Sequence, residues 1–303
     1  MKISGFSMCR NADILYYPIK ESILSALPIV DEFVIAIGAS DASDKTLELV
    51  RSIDSPKIKI VETIWDLETY KHGSVHAQQT DVAMKHCSGD WLLYLQADEV
   101  IHEQDHAEIV AKCEAELTNK KVEGFVLNYY HFWGDYHHIR DSHSWYSKEV
   151  RIVRNHPNIH SWKSAQSFRY YEDFSLEKYL DRAGTRKLNV KQIDGHVYHY
   201  GWVRPPEKMT AKTNALDEIH SHAEKRVSKP FQYGNLSGLP KFNGTHPSVM
   251  EERIKDLGWD PMDGQSVEFM RHDKAKAKII SWVEKRVLGG RKIFTDRNYK
   301  MLR

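Results

Sequence analysis

The segment from Gly89 to Glu99 ends a short apolar run in two adjacent carboxylates. Trp91 to Leu95 reads as a buried strand, and Asp98 and Glu99 lie in the turn that follows it. Mg²⁺ and Mn²⁺ take oxygen ligands and commonly bridge one or two protein carboxylates to substrate phosphates. A carboxylate at a strand tip can therefore hold such a cation against a diphosphate. Strand followed by an acidic helix cap is also common, and the spacing alone favours that simpler interpretation.

A second group of possible ligands lies much later in the chain, between His196 and Trp202. On an extended strand His196 and His199 face opposite sides, because successive side chains alternate. The spacing therefore does not predict a site that uses both. Two packed histidines bonded to the backbone are as good an interpretation as one metal ligand.

The elements that must position these residues alternate between strand and helix over residues 1 to 125. Strand patterns cover Ile3–Met8, Glu32–Ile37, Lys57–Glu62, Trp91–Leu95 and Gly124–Tyr130, and helical patterns cover Asp13–Leu27, Thr46–Ile53, Ser74–His86 and His106–Leu117. This alternation predicts an α/β fold with a mostly parallel sheet flanked by helices. Ligands of such sheets bind beyond the carboxyl ends of the strands. Residues 10–11, 40–44 and 96–99 follow strands and are the ones expected there.

Beyond about residue 131 the pattern changes. We expect strands over Lys148–Arg154 and Asp194–Trp202, helices over 175–187, 205–227 and Val249–Leu257, and a helical, then basic, end. The chain is divided accordingly into a domain over 1–203, with halves 1–130 and 131–203, and a mainly helical extension over 204–303. The basic tail from Lys285 to Arg303 either contacts anionic lipid or is a solvated end.

Composition narrows the function classes. The chain has 303 residues with 43 Lys plus Arg against 42 Asp plus Glu, so no overall charge attracts nucleic acid. Cys9, Cys87 and Cys113 are an odd number without close spacing, which indicates a reducing compartment rather than a disulfide framework. The apolar runs are too short to span a bilayer. We therefore expect a cytoplasmic protein, with peripheral contact to the inner face of a membrane as the one alternative.

Three motifs in order resemble the inverting nucleotide-sugar glycosyltransferases of family 2, which have the GT-A fold. Met8-Cys9-Arg10-Asn11 is similar to the family's first-strand element, and Ser40 to Thr46 is similar to its Asp-Gly-Ser-x-Asp-x-Thr turn. The run from Gly89 to Glu99 is similar to its Asp-x-Asp metal motif. The resemblance covers roughly the first 130 to 200 residues.

The resemblance implies a nucleotide-diphospho-sugar donor, a glycan, lipid-linked or other hydroxyl acceptor, and Mn²⁺ or Mg²⁺ as cofactor. The implied metal ligands are Asp98 and Glu99, completed by a late histidine, His199 or less favourably His196. The implied donor-binding residues are Cys9, Arg10, Asn11, Asp41, Asp44, Gln79, Gln96, Ala97 and Asp98.

The sequence departs from the family pattern at three places. Gln96 stands where the family has the first Asp of Asp-x-Asp, and Gln79 stands where it often has Arg. The Asp that reads the base at the end of the second strand is missing, since residues 37–39 are Ile-Gly-Ala. These departures leave the nucleotide open and keep a non-catalytic carbohydrate-binding or scaffold protein as the alternative function. A sugar nucleotidyltransferase is disfavoured because residues 8–13 contain no glycine.

The acceptor side is expected after residue 131. An inverting transfer needs a carboxylate within hydrogen-bonding reach of the acceptor hydroxyl to remove its proton. Asp141 is the first choice for this base and Glu149 the second, although each is alternatively a solvated loop acid. Trp145 and Tyr146 offer aromatic faces that suit either a sugar or a core.

Overall fold

The order of strands and helices follows the alternation expected for the first half of the chain. The structure, a computed structural model, describes residues 1–221, 231–262, 275–287 and 297–302. The strands are β1 Ile3–Cys9, β2 Glu32–Gly38, β3 Ile58–Thr63, β4 Trp91–Tyr94, β5 Glu99–Ile101, β6 Gly124–Trp133, β7 Lys148–Arg154, β8 Ile159–Trp162, β9 Ser167–Tyr171, β10 Thr185–Trp202 and β11 Tyr299–Met301. The helices are α1 Ile19–Ala26, α2 Thr46–Arg51, α3 Ser74–Lys85, α4 His106–Ala115, α5 Pro206–Ser221, α6 Glu251–Lys255 and α7 Ala275–Arg286.

One sheet contains all of these strands, and its two halves are built differently. The main path runs β3-β2-β1-β4-β7-β6-β10-β9-β8, and β5 and β11 pair with β10 off this path. From β3 to β4 the neighbours are parallel, whereas β7 is antiparallel to both β4 and β6. The predicted α/β class is confirmed, and the sheet is mixed rather than purely parallel. From β6 to β10 the chain connects strands by loops instead of helices, and short connections join antiparallel strands.

Helices cover both faces of the parallel half. One apolar cluster packs α1, α2 and α4 against the sheet, and a second packs α3 on the opposite face. Strands β1, β2 and β4 are therefore buried on both sides, with every residue of β2 and β4 buried. Continuous apolar runs without polar alternation are what such strands require.

Several expected elements differ in extent. The helix predicted over 175–187 is absent from this described part of the chain: turns lead to Gly184, which has a φ of +67°, and β10 begins at Thr185. The helix predicted from Asp13 begins only at Ile19, after Tyr16 adopts a φ of +63°. In both segments a side-chain pattern typical of a helix is interrupted by a residue with positive φ, Tyr16 in the first and Gly184 in the second.

The C-terminal end is only partly described. Within the basic tail, β11 pairs in parallel with Leu188–Val190 of β10, where a helix was expected. Residues 288–296 and 303 of that tail lie outside the described residues. Among the described helices, none combines the length and the apolar character that crossing a membrane needs.

A buried ion pair joins the acidic turn to the antiparallel half of the sheet. Arg151 donates from Nε to Glu99 Oε2 and from Nη2 to Glu99 Oε1, both at 2.8 Å, and the two side chains are 1% and 0% exposed. Tyr129 Oη also donates to Glu99 Oε1 at 2.8 Å, and the backbone N–H of Gln96 donates to Glu99 Oε2 at 3.1 Å. Glu99 therefore fixes the turn that contains Asp98.

Removal of one partner of this pair leaves the other charge buried without compensation. We expect Glu99→Ala to lower the free energy of unfolding by about 3–5 kcal/mol. Arg51→Ala is the matched control, since the Arg51–Glu62 pair has side chains that are 60% and 63% exposed and exposed pairs contribute about 0–1 kcal/mol. Urea denaturation of both variants measures the difference; equal losses would contradict a structural role for Glu99.

Candidate functional site

A cleft of about 1070 Å³ opens at the carboxyl ends of β1 and β4. Its far wall is α5, which contributes residues from Ala211 to His220. The parallel strands β1, β2, β3 and β4 have their carboxyl ends at this edge of the sheet. The polar residues that follow them therefore lie close together, as expected for an open α/β sheet. The predicted residues that line the cleft are Cys9, Arg10, Asn11, Asp41, Gln96, Ala97, Asp98, Tyr146 and His199.

Asp98 lies in the turn between β4 and β5 with its carboxylate buried in the cleft wall. Lys212 of α5 donates from Nζ to Asp98 Oδ2 at 3.1 Å and to the backbone carbonyl of Gly201 at 2.7 Å. Burial alone would raise the pKa of Asp98, but Lys212, His199 and Arg204 outweigh it and hold that pKa well below its usual range. Burial and the nearby Arg204 lower the pKa of Lys212 to about 8. At neutral pH the pair is therefore a carboxylate and an ammonium.

His199 reaches Asp98 because β10 pairs with β5. His199 and Glu99 are register partners in that antiparallel pair, so His199 is adjacent to the acidic turn. Its Nε2 lies 3.7 Å from Asp98 Oδ1, and its Nδ1 lies 3.0 Å from Nδ1 of His131. His196 is elsewhere, with its ring stacked on Tyr130 at 4.4 Å.

Hydrogen-bond partners assign the tautomer of His199. Burial lowers the pKa of His131 to about 3 and that of His199 to about 4, so both rings are neutral. His131 Nε2 contacts the carbonyl of Tyr146 at 2.8 Å and must donate to it. His131 Nδ1 is then the acceptor and His199 Nδ1 the donor. The remaining nitrogen of His199, Nε2, carries a lone pair that points towards Asp98.

This pair of atoms fits a divalent cation. Asp98 Oδ1 and His199 Nε2 face each other 3.7 Å apart without a proton between them. Mg²⁺ is usually bound by one or two protein ligands, with substrate phosphates and water completing the shell. Within the described residues, no group of three His, Cys, Asp or Glu side chains could hold a metal ion, so a cation between Asp98 and His199 would need phosphate oxygens or water to complete its shell.

Glu99, predicted as a further ligand, has a different role. Both of its oxygens accept hydrogen bonds from Arg151, and its side chain is 0% exposed. It does not line the cleft. Because Arg151 occupies both oxygens of Glu99, Asp98 is the carboxylate of this turn that remains for a cation.

The predicted donor residues Arg10, Asn11 and Asp41, which follow β1 and β2, also line the cleft. Arg10 Nε donates to the carbonyl of Ala39 at 3.0 Å, and Asn11 Oδ1 accepts from the backbone N–H of Asp41 at 2.8 Å. These bonds link the loop after β1 to the loop after β2. Asp41 itself is exposed at the cleft.

Two of the predicted donor residues are structural instead. Asp44 accepts from the backbone N–H groups of Thr46 at 3.0 Å and Ile14 at 3.1 Å, so it joins the start of α2 to the loop after β1. Gln79 is 1% exposed and accepts from Thr63 Oγ1 at 2.6 Å. Neither of the two lines the cleft.

Gln96 stands where the resembled family has a carboxylate, and it differs from a carboxylate in hydrogen bonding as well as in charge. Its Nε2 donates to the carbonyl of Ala165 at 3.1 Å, which ties the turn to the segment after β8. Ala97 and the buried Cys9 complete this floor of the cleft. Gln96 is therefore turned towards the protein by a bond that a carboxylate is unable to donate.

Of the two aromatic residues predicted on the acceptor side, one lines the cleft and the other does not. Tyr146 lines the cleft and packs edge-on against Tyr129, with ring centroids 4.9 Å apart. Trp145 packs against Trp133 and Trp202, with centroids 5.8 Å and 5.9 Å away, and does not line the cleft. Tyr146 is thus the aromatic residue of this pair that a ligand in the cleft would meet.

The two candidate bases both lie outside the cleft lining. Glu149 is 2% exposed and accepts hydrogen bonds from Ser167 Oγ at 2.9 Å and Asn298 Nδ2 at 2.7 Å. Burial raises its pKa. This setting corrects the second choice for the base, because a carboxylate enclosed by the protein does not reach an acceptor. Asp141 is exposed in the loop that precedes Tyr146.

Comparison with known proteins gives distant structural matches only. No protein-family model matches the chain, and no curated protein matches it. A structure of S. aureus TarS 1–349 in complex with UDP-GlcNAc is 15% identical, covers 74% of this chain and 68% of that chain, and has a TM-score of 0.38. This chain spans 41% of the length of another TarS structure.

Two further structures match a shorter part. Mannosyltransferase PcManGT from Pyrobaculum calidifontis, in complex with GDP-Man and Mn²⁺, is 18% identical over 43% of this chain and 36% of that chain, with a TM-score of 0.32. Glucosyl-3-phosphoglycerate synthase from Mycobacterium tuberculosis, in complex with Mn²⁺, UDP and glucosyl-3-phosphoglycerate, is 15% identical over 44% of this chain and 45% of that chain, with a TM-score of 0.30.

Lys212 and Trp65 are among the cleft residues that the sequence did not predict. Lys212 lies on a helix with no recognised motif, and Trp65 follows β3. A Cβ at Gly38 would lie 2.3 Å from Trp65 Nε1, so the absence of a side chain at the end of β2 makes room for this indole. The absence of an acid in residues 37–39 is a local sign that another side chain occupies the end of β2. No local pattern indicated Lys212.

Gly201 allows the close approach of the site residues. A Cβ there would lie 2.5 Å from His199 Nε2 and 2.7 Å from Asp98 Oδ2, so Gly201→Ala must displace both. We expect the affinity for the nucleoside diphosphate predicted from the sequence to fall about tenfold or more. Gly238→Ala is the control, since a Cβ at Gly238 meets no described atom within 4 Å. Calorimetric titration measures both; unchanged affinity in Gly201→Ala would separate this site from nucleotide binding.

Proposed function

We propose that this protein is an inverting glycosyltransferase that uses a nucleotide-diphospho-sugar donor. The observation that carries the proposal is the meeting of Asp98, His199 and Lys212 in one wall of the cleft, where β4 ends. A buried ammonium beside a carboxylate and a lone-pair nitrogen suits a diphosphate and its cation. Arg10, Asn11 and Asp41, which also line the cleft, support binding of the nucleoside part.

The transfer replaces one bond at the anomeric carbon of the sugar. The bond from this carbon to the diphosphate oxygen breaks, and its electron pair leaves with the nucleoside diphosphate. The acceptor hydroxyl oxygen forms the new bond from the opposite face, and its proton passes to a general base. Mn²⁺ or Mg²⁺ held by Asp98 and His199 would supply Lewis-acid stabilisation of the leaving group. The acceptor is a glycan, a lipid-linked sugar or another hydroxyl compound.

A panel of nucleoside diphosphates tests the donor part of this proposal. We expect UDP, GDP, CDP or ADP to raise the melting temperature, because a ligand that binds only the folded state stabilises it. One base should be preferred, and the matching nucleotide sugar should be consumed. Asp98→Ala should abolish the additional shift that Mn²⁺ produces. Binding of sugars without any nucleotide would instead favour the non-catalytic carbohydrate-binding alternative.

The general base is tested by kinetics at saturating donor. Asp141→Asn should lower turnover by at least about 10² and leave donor affinity nearly unchanged, because a base acts in the transition state. Glu149→Gln should alter stability rather than turnover, since Glu149 is buried and hydrogen-bonded.

Glu218→Gln completes the series, since Glu218 of α5 lines the cleft. Normal turnover in Asp141→Asn together with a large loss in Glu218→Gln would move the base to α5.

A further inference from the structure

Lys212 is a buried cation in the cleft and is not one of the predicted donor-binding residues. Its side chain is 8% exposed, yet it lines the cleft. An ammonium group has three N–H donors. Two of them point at Asp98 Oδ2 and at the carbonyl of Gly201. No third hydrogen bond of this ammonium is described: its Nζ otherwise lies 5.0 Å from the ring centroid of Tyr17, which also lines the cleft, so a ligand there would meet it.

The charges around Asp98 make the wall attractive to anions. Arg204 is 0% exposed, and its charge contributes to the low pKa of Asp98. Its Nη1 donates to the carbonyl of Leu15 at 2.5 Å, while Nε and Nη2 have no hydrogen-bond partner in the described part of the chain. Of these two cations only Lys212 lines the cleft, and Glu99 is already paired with Arg151. A buried ammonium gains a charge-assisted hydrogen bond from an anionic ligand.

We propose that Lys212 binds the diphosphate of the donor directly and allows a nucleoside diphosphate to bind without a divalent cation. The inference rests on the proposed function, because it names a contact of the same donor. Asp98 holds Lys212 from one side through Oδ2 and leaves Oδ1 facing His199. The ammonium is thereby fixed beside the cation position, and its positive charge is present whether or not a metal binds.

In the reaction Lys212 acts on the leaving group alone. When the bond to the anomeric carbon breaks, the electron pair remains on the terminal phosphate oxygen. A hydrogen bond from the ammonium of Lys212 stabilises that oxygen and requires no proton transfer. Lys212 is thus a binding residue whose charge also favours departure of the nucleoside diphosphate.

Calorimetric titration of UDP, GDP, CDP and ADP, with EDTA and separately with Mn²⁺, tests the proposal. The wild type should bind its preferred nucleotide in EDTA. Lys212→Ala should bind it about 10- to 100-fold more weakly in EDTA, the loss expected for a hydrogen bond to a charged group. Mn²⁺ should restore much of that loss, because the substitution releases Asp98 for a cation. A role in packing alone would not produce rescue by a metal.

Two further variants make the result decisive. Lys212→Arg should retain most of the metal-free affinity, since it keeps the charge. Lys208→Ala removes a lysine one turn earlier on α5, whose Nζ bonds to the carbonyl of Ile14 at 3.0 Å, and should leave the affinity unchanged.

Binding by the wild type only with Mn²⁺, or equal metal-free affinity in wild type and Lys212→Ala, would overturn the role of Lys212 and leave the proposed function intact. Absence of nucleotide binding under both conditions would overturn the proposed function itself.

Discussion

The bidentate ion pair between Arg151 and Glu99 is the contact on which the geometry of the cleft depends. It joins β7, in the centre of the sheet, to the first residue of β5, and Tyr129 adds a third hydrogen bond to the same carboxylate. With Glu99 held beneath the turn, its neighbour Asp98 is directed to the other side and into the cleft. Two adjacent acids of one turn therefore have opposite tasks, one in the core and one at the surface of the site.

Asp98 in turn organises the residues that arrive from the later half of the chain. One oxygen accepts from Lys212, and the other faces the lone pair of His199. A chain of neutral imidazoles, His199 and His131, ends at the carbonyl of Tyr146 and fixes which nitrogen is bare. Orientation of a ligand nitrogen by its second nitrogen is the usual way in which proteins prepare a histidine for a cation or a hydrogen-bond donor.

Local sequence patterns predicted the parallel half of the sheet well, because buried strands there are unbroken apolar runs between turns. The strand tip with Asp98 followed from the same pattern. The task of Glu99 did not, since its partner Arg151 lies 52 residues away and reads locally as an ordinary strand residue. Lys212 is 114 residues from Asp98 on a helix without a motif, so only the three-dimensional fold brings them together. The segment 175–187 failed for a different reason, because charge spacing imitated a helix that backbone turns exclude.

The position of α5 along the chain determines when the residues of the cleft wall are synthesised. Asp98 and His199 both precede this helix in the chain, so a growing polypeptide contains the carboxylate before it contains Lys212. Proteins are made from the N-terminal end, so α5 is synthesised after the turn and the strand that it packs against. Without α5, Asp98 would lie on a hydrated surface. Docking of the helix both buries this carboxylate and supplies its counter-charge, so the burial of Asp98 and the neutralisation of its charge depend on one and the same packing step.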